Sequence, residues 1–244
     1  MAEIVELENV SFSAQNRLIV RNFFHNFKEG KTTALVGPSG SGKSTVLKLA
    51  AGLLVPSEGE VRFRGEDIFA MNQEENLKFR SEASMVFQDS ALWANQTLYE
   101  ILELPLKIHY PRMHSWEREN RIKEVLKEVG YKRDLNIRPS QLSMGEQKLI
   151  AFARAMMCRP KLFFLDEWTE SLDDSAANRL IRLVQRHQRQ QYTTIFVSHD
   201  FRIIKTLADH IIMIVDGKLH MVISHEQIET DIELANYIEN GIAL

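Results

Sequence analysis

Cysteine is nearly missing from this chain: Cys158 is the single one in 244 residues. No internal disulfide can form, and such usage fits a reducing compartment. Cys158 sits in the apolar helical stretch RAMMCRP, so a buried, inert thiol is expected. Long apolar runs are missing too. The longest, LAAGLLV and HIIMIV, fall far short of the roughly 20 residues of a membrane-spanning helix. The opening MAEIVELENVSF carries acids and lacks the apolar stretch of a secretory signal. The expectation is a chain soluble by itself, which a partner must hold if it works at a membrane. Positive charge is not in surplus: 30 Lys and Arg against 33 Asp and Glu give a net charge of −3. Nucleic-acid binding through a strong overall basic field is therefore not expected, although a local basic patch remains open. Internal repeats, low-complexity segments and flexible linkers are not evident.

What is present suits a packed core. Hydrophobic residues make up 44% and charged residues 26%, which excludes a disordered chain. The length fits one large domain, or a core with a small subdomain. IVELENVSFS alternates like a half-buried strand, KTTALVG is a short β-rich run, and TVLKLAAGLL has helical spacing. GEVRFRGEDI reads as a strand closing on a turn at Arg64–Gly65–Glu66. SWERENRIKEVLKEVG reads as a helix with Ile122, Val125, Leu126 and Val129 on one face and Gly130 as its stop. A helix beginning near Ser143 is expected to continue through EQKLIAFARAMM, with Pro160 ending it. KLFFLDE and YTTIFVSHD read as buried strands flanking the helix DDSAANRLIRLVQRHQRQ, and IIMIVDGKLHMV as a hairpin turning at Asp216–Gly217. Alternating strands and helices predict an α/β fold, a mostly parallel sheet covered on both faces, with an added antiparallel β piece.

Between the run TTALV and the helix after it lies VGPSGSGKST. Residues Gly37 to Ser44 match the phosphate-loop pattern G-x-x-x-x-G-K-[ST]. Glycines let backbone N–H groups turn toward a phosphate at a helix N-terminus already polarised for anions. Lys43 can reach the β- and γ-phosphates, and the Ser44 hydroxyl can ligate Mg²⁺. Taken alone, the same residues could form a plain glycine turn. LFFLDE ends in Asp166 and Glu167: a carboxylate at the end of a buried strand can hold Mg²⁺, and the next one can act as general base on water. Two solvated acids at a strand end would look the same. Ser143 with Glu146 fits a capping box, which is ordinary helix punctuation. His199, by itself, suits a surface histidine.

The order of these segments carries more than any one of them. The phosphate loop, VFQDS, LSMGEQ, FFLDE, SLD and SHD follow one another as in the ATP-binding-cassette (ABC) ATPases, which the chain resembles over essentially its whole length. The resemblance implies a P-loop NTPase fold of ABC type, with an antiparallel β subdomain and a helical subdomain at about 90–160 within a single 1–244 domain. ATP and Mg²⁺ are the implied ligands. By the match, Gly37, Pro38, Ser39, Gly40, Ser41, Gly42, Lys43, Ser44 and Thr45 hold phosphate, and Gln88 contacts Mg²⁺ or water and senses a transmembrane partner. Ser143 and Gly145 match the signature that touches the γ-phosphate of the other protomer's ATP. Asp166 is the magnesium-side acid, Glu167 the catalytic base, Asp173 the dimer-interface acid and His199 the residue that steadies the γ-phosphate. Metal contact falls to Ser44, Gln88 and Asp166. Two copies, head to tail, would clamp two ATP molecules, and hydrolysis would open the interface.

Three positions depart from the pattern. Met144 stands where the signature has its first glycine, Trp168 where a proline usually follows the glutamate, and Ala14 where an aromatic usually stacks on adenine. With Lys43, Asp166, Glu167 and His199 in place, hydrolysis is expected, against the alternative of a weakly catalytic ATP-binding switch. SMVFQDSALWANQTLYEILELPLK is most similar to the ATPases of Mla/Mce-type phospholipid transporters, through Ala91–Leu92–Trp93 and Leu104–Pro105–Leu106. Other ABC importers and lipoprotein-release or export systems have related text. The implied partners are a second copy, an integral membrane permease, a lipid-binding periplasmic protein and a small cytosolic regulatory subunit, with no nucleic acid. The implied location is the cytoplasmic face of the inner membrane. The acidic tail at about 224–244 reads as a solvated helix, or as one packing Ile228, Ile232, Leu234, Ala235 and Ile238 on a neighbour.

Overall fold

The computed structural model describes residues 2–243. Strands β1 (Glu3–Ala14) and β2 (Arg17–Lys28) form a hairpin whose turn residues Gln15 and Asn16 are both left-handed, the twist that suits two paired strands. The fully buried β3 (Thr32–Val36) leads through the glycine loop into α1 (Lys43–Ala50). That helix stops short of the predicted Leu54, because left-handed Gly52 lets Leu53 N–H donate back to the Lys48 carbonyl at 2.9 Å. β4 (Glu58–Phe63) and β5 (Glu66–Asp67) turn at Arg64–Gly65. Then come α2 (Gln73–Glu82), β6 (Ala83–Val86), α3 (Leu98–His109), α4 (Ser115–Val129) and α5 (Met144–Met156). β7 (Leu162–Asp166), α6 (Asp174–Arg189), β8 (Thr193–Val197) and α7 (Phe201–Leu207) follow. β9 (His210–Val215), β10 (Lys218–Ser224), α8 (His225–Thr230) and α9 (Ile232–Ala243) end the described chain.

Two sheets result. One is antiparallel, in the order β2-β1-β4-β5; the other is mixed, in the order β10-β9-β3-β8-β7-β6, and parallel except at β10. Side chains alternate across the mixed sheet, and both sets are apolar. Leu35, Phe164 and Ile195 pack with α1 against the antiparallel sheet, while Ala34, Val36, Leu165 and Phe196 pack under the helices on the other side. Such a strand is buried on both faces, so it reads as a continuous apolar run. The phosphate loop leaves the C-terminal end of β3, and the acids leave that of β7. Only β8 lies between, so the loops converge at one edge of the sheet, where α/β folds place ligands.

One expectation stands and another is corrected. The helix from Ser143 ends at Met156 with Met157 as its C-cap, as expected, and left-handed Arg159 turns the chain before Pro160. Among the described residues the acidic C-terminal segment is not a plain solvated helix, and four of its five named apolar residues pack within the chain. Ile228 and Ile238 are buried in the chain's own core, with Leu234 and Ala235 packed beside them, while Ile232 is exposed. Leu244, at the end of that segment, lies outside the described residues.

Candidate active site

Glycine is required at two points of the phosphate loop. Gly37 is left-handed, and a Cβ there would come 2.0 Å from the Ile214 carbonyl oxygen. Gly42, also left-handed, is the N-cap of α1 and supplies no side-chain cap, so the first-turn N–H groups face the cavity without a side-chain acceptor. Buried Lys43 bends back and donates from Nζ to the carbonyls of Gly37 (2.8 Å) and Pro38 (2.9 Å). Burial lowers its pKa, and nearby Glu167 and Asp166 oppose that shift. A cavity of about 340 Å³ is lined by Ser39, Gly40, Gly42, Lys43, Ser44 and Thr45 of this loop together with Gln88, Glu167 and His199. Gly37, Pro38 and Ser41 shape the loop from behind: the Ser41 carbonyl accepts from the Gly217 N–H at 3.0 Å, and the Ser41 hydroxyl is buried without a partner. Ile19 also lines the cavity, a residue that no motif marks.

The two acids have different surroundings. Asp166, buried at the end of β7, accepts the Ser44 hydroxyl at 2.8 Å. Burial raises its pKa; the Ser44 hydrogen bond, Lys48, Lys148 and Lys43 pull the other way. Glu167 follows in a left-handed conformation, its N–H bonded to the Val197 carbonyl at 3.2 Å. His199 Nε2 lies 3.1 Å from Glu167 Oε1, an ion-pair distance, yet off the direction of a hydrogen bond, so this buried oxygen has no donor. Burial is also the main cause of the raised pKa of Glu167, with His199 acting against it. A carboxylate of raised pKa with an unpartnered oxygen on an open cavity is suited to take a proton from water. The Gln88 amide donates to Glu170 at 3.4 Å.

The donor set fits Mg²⁺. Ser44 and Asp166 offer adjoining hard oxygens, and Gln88 stands on the same cavity wall. Among the described residues no group of three His, Cys, Asp or Glu could hold a metal alone, so phosphate and water would complete the ion's shell.

Ser143 and Gly145 are not brought to this cavity. Ser143 is the N-cap of α5 and exchanges hydrogen bonds with Glu146, which Arg133 also holds at 3.0 Å. Gly145 is needed for close approach: a Cβ would meet the Ser171 carbonyl oxygen at 2.8 Å. Met144 is 71% exposed. Asp173 caps α6 by accepting from the Ala176 N–H at 2.8 Å. Ala14 pairs across the hairpin with Arg17. Trp168 is fully buried against Phe152, with ring centroids 5.7 Å apart.

Residues 20–170 match the family described as ABC transporter. The chain belongs to that family. It is 36% identical over 209 residues to the nickel import ATP-binding protein NikE of Shigella flexneri serotype 5b, spanning 84% of this chain and 78% of that protein. It is 33% identical over 224 residues to the intermembrane phospholipid transport system ATP-binding protein MlaF of Escherichia coli K12, spanning 90% and 81%. Its fold superposes on the dimeric, post-hydrolysis ATP-binding cassette MJ0796 bound to ADP and Pi. That match has a TM-score of 0.84 and 32% identity, covering 91% of this chain and 99% of the other. This ABC cassette is thus an ATPase subunit of a transporter, of a kind that binds ATP, dimerises and works with membrane permease components. No described helix is long and apolar enough to cross a membrane.

Proposed function

We propose that this cassette drives phospholipid transport, and that its ATP is bound and hydrolysed by the residues gathered at the phosphate loop. The observation that carries the site assignment is the meeting of Ser44 with Asp166 beside Glu167, His199 and Gln88 on one cavity wall. Lys43 exchanges its two loop carbonyls for phosphate oxygens when nucleotide enters. Ser44, Asp166 and Gln88 would hold Mg²⁺, and the ion would supply charge neutralisation on the phosphates. Glu167 takes the proton of the attacking water, and His199 steadies the γ-phosphate and Glu167 together. Because Ser143 and Gly145 lie off this cavity, they serve the ATP of a second copy arranged head to tail, with Asp173 at the same interface.

The permease meets an apolar groove of about 420 Å³ beside Gln88, lined by Leu53, Met85, Phe87 and Trp93 among others. The remaining partners in this reading are a lipid-binding periplasmic protein and a small cytosolic regulatory subunit, with the cassette on the cytoplasmic face of the inner membrane. The similarity to MlaF over 90% of the chain supports phospholipid as cargo. The 36% identity to NikE supports a second reading, import of nickel. The test is to purify the chain with its permease from membranes and reconstitute the complex in vesicles. ATP-dependent transfer of a fluorescent phospholipid is the expected result. Nickel uptake without lipid transfer would replace this reading by the second.

A further inference from the structure

Helix α5 holds two cations that the reaction as described does not use. Lys148 is 3% exposed. Its ammonium donates to the Gln88 carbonyl and reaches the Phe87 carbonyl at 3.5 Å. Arg154, further along the same helix, donates to the carbonyls of Ala91 (2.6 Å) and Ser90 (3.2 Å), and its guanidinium lies over the Trp93 ring. Ser90 and Ala91 are both left-handed, so this bend of the loop is held in a costly conformation by contacts from outside it. At its other end α5 abuts the segment after Glu167, through Gly145 against Ser171. One rigid helix is thus fastened to the loop carrying Gln88 and to the segment following the general base.

A lysine is an expensive way to fill a core position, because burying its charge needs full compensation. Burial lowers the pKa of Lys148, while Glu170, Asp166, Asp89 and Glu167 act to keep it charged. A methionine of similar length would fill the same space without that cost. The charge is therefore explained by what the ammonium touches, and it touches the backbone of Gln88.

We propose that Lys148 is a positioning residue: by holding the carbonyls of Phe87 and Gln88 it fixes the Gln88 amide at the phosphate cavity and makes that loop travel with α5. This rests on the assignment of Gln88 to the phosphate site. A double-mutant cycle on the full chain tests both, with ATPase rate as readout and thermal midpoint as folding control. Lys148→Met should lower kcat about tenfold and leave KM for ATP within about twofold. In a Gln88→Ala background the same change should cost less than about twofold, since there is no amide left to position. A purely structural lysine would cost the same in both backgrounds, and that result, or an unchanged kcat for Lys148→Met, overturns the proposal. If Lys148→Met does not fold, the cycle is run with Lys148→Arg; its loss should be smaller and should also vanish with Gln88→Ala, and persistence overturns the proposal. Gln88→Ala at the parent rate would instead remove Gln88 from the site.

Discussion

Replacing Glu167 by Gln should slow the enzyme and stabilise the fold at once. The amide keeps the shape of the side chain and cannot accept a proton. Loss of a general base costs about 10²- to 10⁴-fold in rate, roughly 3–5 kcal/mol of transition-state stabilisation. The stability effect has the opposite sign. Burial raises the pKa of Glu167, so the folded chain disfavours the ionised carboxylate relative to the unfolded chain. Folding is therefore favoured below the ordinary carboxylate range, and that advantage is lost as pH rises through the raised value. Above the raised value the parent carries the full penalty, and the neutral amide removes it. The nucleotide-free variant should melt above the parent, by about 2–4 °C for each kcal/mol recovered in a chain of this length. The gap should close below the unfolded carboxylate pKa. Phosphate release under saturating ATP gives the first quantity, and thermal melts at pH 7 and pH 4 give the second. Turnover within threefold of the parent would refute the base assignment. A lower melting point at pH 7 would refute the argument that the buried charge is a burden.

Three further outcomes follow from single contacts. Ser44→Ala removes the hydroxyl that Asp166 accepts, so the Mg²⁺ needed for half-maximal turnover should rise about tenfold, with ATP binding in EDTA nearly unchanged; a magnesium titration decides. Gly145→Ala places a Cβ 2.8 Å from the Ser171 carbonyl oxygen and should cost about 1–3 kcal/mol, visible as a lower denaturation midpoint; an unchanged midpoint would mean the backbone yields freely. His187 is buried between Pro160 and Thr194, and its pKa is lowered to about 4, chiefly by burial. Its stabilising effect is complete above pH 6.5 and is lost as pH falls toward about 4, a loss of about 3 kcal/mol at one pKa unit per 1.36 kcal/mol. Urea unfolding of His187→Gln at pH 7 and pH 5 should show a smaller acid loss than the parent.

Local signals were legible where one residue decides the backbone. The Asp216–Gly217 turn, the Gly130 stop and the Ser143 cap all stand where the sequence puts them. The parallel sheet was legible because its strands are apolar on both faces. Other elements carry no such mark. Helix α2 buries Phe79 alone and has no apolar stripe. Helix α3 contains Pro105, which speaks against a helix, yet burial of Leu98, Ile101, Leu102 and Leu106 outweighs the lost hydrogen bond. In the site, the motifs identify residues in order but not their contacts. No spacing shows that Ser44 meets Asp166, that Ile19 lines the cavity, or that Ser143 stays off it. Lys148 did leave a trace: with Ala151 and Ala155 it follows the i, i+3, i+7 spacing of a buried face, an unusual place for a cation.

Trp168 shows why a departure from the family's motif need not mean a decayed site. Glu167 sits in a left-handed conformation that costs a residue other than glycine about 1–3 kcal/mol. Something adjacent must offset that cost, or the Glu167 carboxylate would relax out of the cavity. A proline in the next position restrains the backbone through its ring. Trp168 restrains it by anchorage: its side chain is fully buried against Phe152, and truncating such a residue costs about 3–5 kcal/mol. That exceeds the strain, even with the indole N–H left unpartnered. The Glu167 N–H bond to Val197 adds a second tether on the other side. Met144 has no comparable anchoring effect within the chain, since its side chain is largely exposed. Its consequence falls on whatever surface meets the first turn of α5, whereas the geometry of Glu167 is fixed inside one subunit.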